Sequence, residues 1–138
     1  MKSLLLKALI LFCILFYFSG CDNSDGQKIV GVGNGNGTGN NPPAIPSEPS
    51  PANNATGTSN NITLMWTCSD PDVGDTVKYD IYLDPVSPPM TKVVSDYTPT
   101  TYGYGVVNHN LTLYWKVVAH DLKGASTSGP VWTFRTAP

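Results

Sequence analysis

From Ile62 onward, large apolar residues fall at every second position, and no other feature of this chain narrows its fold as far. The stretch "ITLMWTC" places Ile62, Leu64, Trp66 and Cys68 on one side of an extended backbone, and "VKYDIYL" does the same with Val77, Tyr79, Ile81 and Leu83. In "LTLYWKVVAHD" the inward set is Leu113, Trp115, Val117 and Ala119, with Tyr114, Lys116, Val118 and His120 facing out; "GPVWTFRT" adds Trp132 and Phe134. Weaker strand candidates are "TKVVS" and "TTYGY". No segment carries an apolar stripe of helical period over three turns. Strands with one greasy face, divided by Pro, Gly, Asn and Asp clusters, predict an all-β fold: two antiparallel sheets closed over a shared core.

The segments ahead of the strands are of other kinds. Met1, Lys2, Ser3 and Lys7 surround "LLLKALILFCILFYF", a basic start and greasy middle that ends in Ser19 and Gly20 before Cys21. This is the layout of a secretion signal. Lys7 interrupts the apolar run, and Ala8 to Phe18 falls short of the roughly 20 residues a membrane span needs. The Ser-Gly-Cys sequence resembles the lipobox of bacterial lipoproteins, with Phe18 where that family most often has Leu. The resemblance implies lipidation of Cys21, which becomes the first mature residue, a membrane partner through the acyl chains, and a bacterial cell envelope address outside the cytoplasm. Each buried methylene adds about 0.8 kcal/mol of membrane affinity, so more than one chain makes a durable anchor.

After Cys21 runs "GVGNGNGTGNNPPAIPSEPSPANNATG", too poor in large apolar groups to offset the entropy of ordering it. Its alternating glycines lack the preceding strand, following helix and Lys of a phosphate-cradling loop. The expected organisation is a signal peptide over 1–20, a lipidated cysteine and Gly/Asn/Pro linker over 21–46, and one domain over 47–138. A linker of that length and composition spans about 25 to 30 Å on average.

Composition removes several functions. Without the signal's two lysines the mature chain holds six bases against ten acids, a net charge of -4, so it offers nucleic acid no basic patch. Cys13 leaves with the signal and Cys21 is acylated, which leaves Cys68 without an intramolecular disulfide partner. Two histidines, His109 and His120, and one inward cysteine do not form a zinc set. No Gly-x-Ser-x-Gly turn supplies a nucleophile, and no catalytic residue or cofactor is expected. Asn54, Asn61 and Asn110 stand in glycosylation sequons, idle under a bacterial origin.

Residues 47 to 136 resemble the fibronectin type III-like modules of bacterial surface proteins. The resemblance rests on Trp66, the Asp-Pro-Asp turn, the strands Tyr-Asp-Ile-Tyr and Tyr-Trp-Lys-Val-Val-Ala, and the closing Trp-Thr-Phe. Many relatives have Tyr where this chain has Leu113, so the resemblance does not extend to a tyrosine-corner hydrogen bond at that site, while the packing role survives. The resemblance implies a non-catalytic binding or spacer module whose partner is another envelope or extracellular protein, or a glycan. Two surface features carry chemistry. Asp70, Asp72 and Asp75 crowd the turn "CSDPDVGDT", and the family's topology brings Asp121 of "HDLKG" to the same end; together they are oxygen ligands for a possible calcium ion, or ordinary turn-formers in which Gly74 takes a positive φ. Tyr82 and Tyr114 face outward on strands that the family pairs, a candidate glycan platform or a cross-strand packing pair.

Overall fold

The computed structural model describes residues 39–138. The expected signal peptide, Cys21 and linker residues through 38 lie outside the described residues. Nine strands make up the rest: β1 (Ser47–Ser50), β2 (Ala55–Thr58), β3 (Asn61–Thr67), β4 (Lys78–Asp84), β5 (Lys92–Tyr97), β6 (Thr101–Val106), β7 (Thr112–His120), β8 (Ser126–Ser128) and β9 (Trp132–Thr136). No helix occurs among the described residues. One sheet has the order β1-β3-β6 and the other β2-β9-β7-β4-β5, with β8 paired to the end of β7. The pairings are antiparallel except β2 with β9, which is parallel.

The inward residues are those the alternation selects. Ile62, Leu64 and Trp66 from one sheet meet Tyr79, Ile81, Leu83, Leu113, Trp115, Val117, Ala119, Trp132 and Phe134 from the other. Three tryptophans form the centre. Trp115 is completely buried, with its ring centroid 4.6 Å from Trp132 and 6.5 Å from Trp66, and Trp66 meets Tyr79 edge-on at 5.2 Å. Such pairs add about 0.5 to 1.5 kcal/mol to their area burial. The indole N–H groups of Trp66 and Trp115 lack hydrogen-bond partners among the described residues, so the aromatic packing also offsets a desolvation cost.

Three strands carry no alternation that the sequence reveals. The segments "SEPS", "ATGT" and "STS" are extended because their neighbours offer free backbone groups: β1 pairs with β3, β2 with β9 and β8 with β7. The packed chain also begins ahead of residue 47. Pro43 and Pro46 are buried, Ala44 N–H donates to Ser69 C=O at 2.8 Å, and Thr127 Oγ1 donates to Pro43 C=O at 2.6 Å. Gly129 makes this possible, since a Cβ there would lie 3.0 Å from Val117 O and 3.2 Å from Pro46 Cβ. The expected linker over 21–46 therefore gives its last residues to the domain.

Leu113 is buried, and the corner between β6 and β7 is tied down from another strand. Thr136, at the end of β9, is buried; its Oγ1 accepts from Leu111 N–H at 2.8 Å and donates to Asn108 C=O at 3.0 Å. Its own N–H donates to Leu111 C=O at 2.9 Å. Beside it, Arg135 Nε and Nη2 donate to Asn110 Oδ1 at 3.1 and 2.7 Å. A threonine hydroxyl from the last strand thus satisfies backbone groups of the β6–β7 connection.

Candidate functional site

Two surfaces collect polar side chains. The first is the end where β3 hands over to β4 and β7 to β8. Asp70 Oδ1 accepts from Asp72 N–H at 2.8 Å, Asp75 N–H donates to Asp72 C=O at 3.1 Å, and Gly74 has φ +88°. These are the turn contacts expected of Asp and Gly in this order. Carboxylate oxygens of Asp70, Asp72 and Asp75 lie within 4.8 Å of one another, a set able to offer oxygens to a hard cation such as calcium. Asp121, the fourth expected ligand, is not in that group; its carboxylate is held within the β7–β8 loop and by Asn40.

The residues that engage these carboxylates are ones the sequence reading did not single out. Asn40 Nδ2 donates to Asp121 Oδ2 at 2.8 Å; Asn41 donates to Asp72 through its backbone N–H at 2.9 Å and its side-chain amide at 2.8 Å. Asp121 is 4% exposed, and its Oδ1 accepts from the N–H groups of Lys123 and Ala125 at 2.9 Å each. Desolvation works against its ionised form, but the Asn40 amide and these backbone donors outweigh it and hold its pKa below the ordinary aspartate value. The Asn41 side chain and backbone do the same for Asp72. Lys123 Nζ binds Asp75 Oδ2 at 2.9 Å and places a positive charge inside the cluster. Asn40 Oδ1 and Asp70 Oδ2 are buried acceptors without a partner among the described residues. The arrangement is a clamp on the incoming chain, built from two asparagines and two carboxylates. The only trace of it in the sequence is the Asn-Asn pair before Pro42 and Pro43.

The second surface is the outward face of the larger sheet. Register pairs Tyr82 with Lys116 and Asp84 with Tyr114, so the two tyrosines are diagonal neighbours on adjacent strands, as the family's pairing implies. Lys116 Nζ sits 4.9 Å and Lys92 Nζ 5.5 Å from the Tyr82 ring centroid. Tyr82 is thus engaged in cation–π contacts. Tyr114 borders a separate groove of about 270 Å³ with Asn54, Thr56, Thr112, Thr133 and Arg135. Higher on the same face, Asp80 Oδ2 binds Lys92 Nζ at 2.5 Å, and His120 Nε2 lies 3.6 Å from Asp80 Oδ1 and 3.8 Å from Asp96 Oδ1. Desolvation opposes ionisation of Asp80, yet the Lys92 ammonium and the Asp96 N–H bring its pKa below the usual range.

The histidines serve opposite ends of β7. His109 Nε2 is 3.2 Å from Asn60 Nδ2 before that strand begins, and His120 closes it beside aspartates. Neither hydrogen-bonds to a serine hydroxyl or to Cys68 among the described residues. Cys68, expected inward with Trp66, is half-buried just past the end of β3, and its Sγ donates to Ala44 C=O at 3.2 Å. Burial pushes its thiol above the ordinary value, the reverse of what an activated nucleophile needs.

No protein-family model matches the sequence, and no curated protein does either. Solved structures are similar in shape. A Fn3-like protein from Clostridium thermocellum superposes with a TM-score of 0.52 at 22% identity, covering 71% of this chain and 97% of that one. The fibronectin type-III domain of human fibronectin type III domain containing protein 3 superposes with a TM-score of 0.53 at 19% identity, covering 74% of this chain and 93% of that one. With the strand order and the tryptophan core, these likenesses establish an all-β, fibronectin type III-like sandwich.

Proposed function

We propose that this chain is a non-catalytic lipoprotein of a bacterial envelope, anchored through acylated Cys21, whose sandwich serves as a protein-binding or spacer module. The observation that carries the reading is the fibronectin type III-like sandwich itself, whose surface polar groups are engaged in ion pairs and turn contacts. The lipobox-like Ser19-Gly20-Cys21 supports the anchor. Cross-linking on intact cells, followed by identification of the captured proteins, tests the binding role. Capture of one envelope protein, lost when the sandwich is replaced by a polar linker of equal reach, supports binding. Undiminished function with that linker leaves spacing as the role. Cys21→Ser is expected to move the protein from the membrane to the soluble fraction, and retention of that variant in the membrane contradicts the anchor.

Carbohydrate recognition is the second reading, favoured by the groove beside Tyr114, where one aromatic ring adjoins threonine hydroxyls, an asparagine and an arginine. Glycan-array binding abolished by Tyr114→Ala supports it. Binding abolished by Tyr82→Ala alone assigns the sugar to the ring flanked by Lys92 and Lys116. No binding above background removes the reading.

A further inference from the structure

The sandwich has two ends, and the polypeptide arrives at one of them. Asn40 and Asn41 bond to Asp121 and Asp72, so the chain coming from Cys21 joins the domain between the β3–β4 and β7–β8 loops. The last residues lie at the other end, where Ala137 N–H donates to Thr58 C=O and Asn110 N–H donates to Ala137 C=O. At the N-terminal end two large apolar side chains stand in water. Val73, in the acidic turn, is fully exposed, and Leu122, next to Asp121, is 65% exposed. The Lys123–Asp75 contact at 2.9 Å makes the two loops neighbours. The opposite end carries a comparable pair in the β4–β5 loop, Val86 at 68% and Met90 at 77% exposure. Exposure alone therefore does not distinguish the ends.

The point of attachment does. Seventeen residues, 22 to 38, separate Cys21 from Gly39. A glycine-rich chain of that length spans about 20 to 25 Å on average. The nine residues of β7 run from one end of the sandwich to the other, about 30 Å at 3.3 Å per residue. Attachment at the near end puts Val73 and Leu122, and not the Val86 end, beside the point where the tether joins the domain. Once the anchor is in place the tips meet lipid at high effective concentration, so even marginal affinity keeps them there.

We propose that the end bearing Val73 and Leu122 seats on the bilayer, with both side chains in the headgroup boundary; this rests on the lipidation reading above. Charge sets the preferred surface. Asp70, Asp72, Asp75 and Asp121 outnumber Lys123 at this end, so seating favours a zwitterionic over an anionic headgroup layer, and salt reduces the difference.

The test uses the full-length chain purified from membranes, its lipid on Cys21 verified by mass spectrometry, in phosphatidylcholine vesicles brominated near the headgroup boundary. Val73→Trp, Leu122→Trp and Val86→Trp all change exposed side chains, and circular dichroism checks that each folds. Emission added by the tryptophan at 73 or at 122 is expected to be quenched, emission added at 86 is not, and replacing part of the phosphatidylcholine with phosphatidylglycerol is expected to lessen the quenching. Equal quenching at both ends, or none at either, in acylated protein overturns the seating. A residue 21 found without lipid overturns instead the anchoring on which it rests.

Discussion

Replacing Thr136 by valine keeps the shape of a buried side chain and deletes one hydroxyl. That hydroxyl accepts from Leu111 N–H at 2.8 Å and donates to Asn108 C=O at 3.0 Å, so its loss leaves a donor and an acceptor unmatched beneath the β6–β7 corner. An unsatisfied buried group costs about 1 to 3 kcal/mol, and the valine recovers little of it because no apolar surface is newly covered. For a domain of this size each kcal/mol moves the melting midpoint by about 4 to 8 °C, so the expected loss is about 5 to 20 °C. Thermal unfolding followed by circular dichroism reads the shift, with urea titration checking that the slope is unchanged. Thr136→Ser keeps the hydroxyl and gives up a methyl, so it is expected to lose less than valine does, and the Leu111 amide is expected to exchange with solvent faster in the valine variant alone. A valine variant as stable as the serine variant refutes the claim that this hydroxyl holds the corner.

Other outcomes follow from the same structure. Trp115→Ala opens a cavity between Trp66 and Trp132 and is expected to cost about 3 to 5 kcal/mol in chemical denaturation, a large share of the stability of a small domain. Asp72, Asp80, Asp84 and Asp121 all have native pKa values below the unfolded one, so their contribution is complete above the ordinary aspartate value of about 3.9 and is lost as the pH falls toward the native values. The melting midpoint should therefore drop on acidification below about pH 4, and Asp121→Asn should shallow that drop; an identical acid profile for the variant contradicts it. Because Asn40, Asn41 and Lys123 already engage Asp121, Asp72 and Asp75, the midpoint is expected to be the same in calcium and in chelator, and a calcium-dependent rise assigns the cluster to a cation. Cys68 should react with iodoacetamide more slowly in the native protein than in urea, since burial raises its pKa; equal rates contradict that burial.

The twelve core residues could be read from the sequence because alternation is a one-dimensional property of an extended chain. A residue two positions from Trp115 faces the same way whatever lies opposite, so Leu113, Val117 and Ala119 follow from counting. The aspartate turn was legible for the same reason, since its contacts span two to three residues. What remained hidden depends on partners distant along the chain. "SEPS", "ATGT" and "STS" become strands only where a neighbouring strand offers unpaired backbone groups. Asn40 meets Asp121 across 81 positions, and Thr136 reaches Asn108 across 28. Counting turns Tyr82 outward on a strand next to that of Lys116, but only the pairing of β4 with β5 brings Lys92 over its ring as well. Counting along the chain is enough to say which faces of the strands are greasy, and therefore that two sheets close over tryptophan. Which polar groups meet was settled in the folded molecule, because a hydrogen bond depends on the spatial approach of two atoms, which local periodicity does not encode.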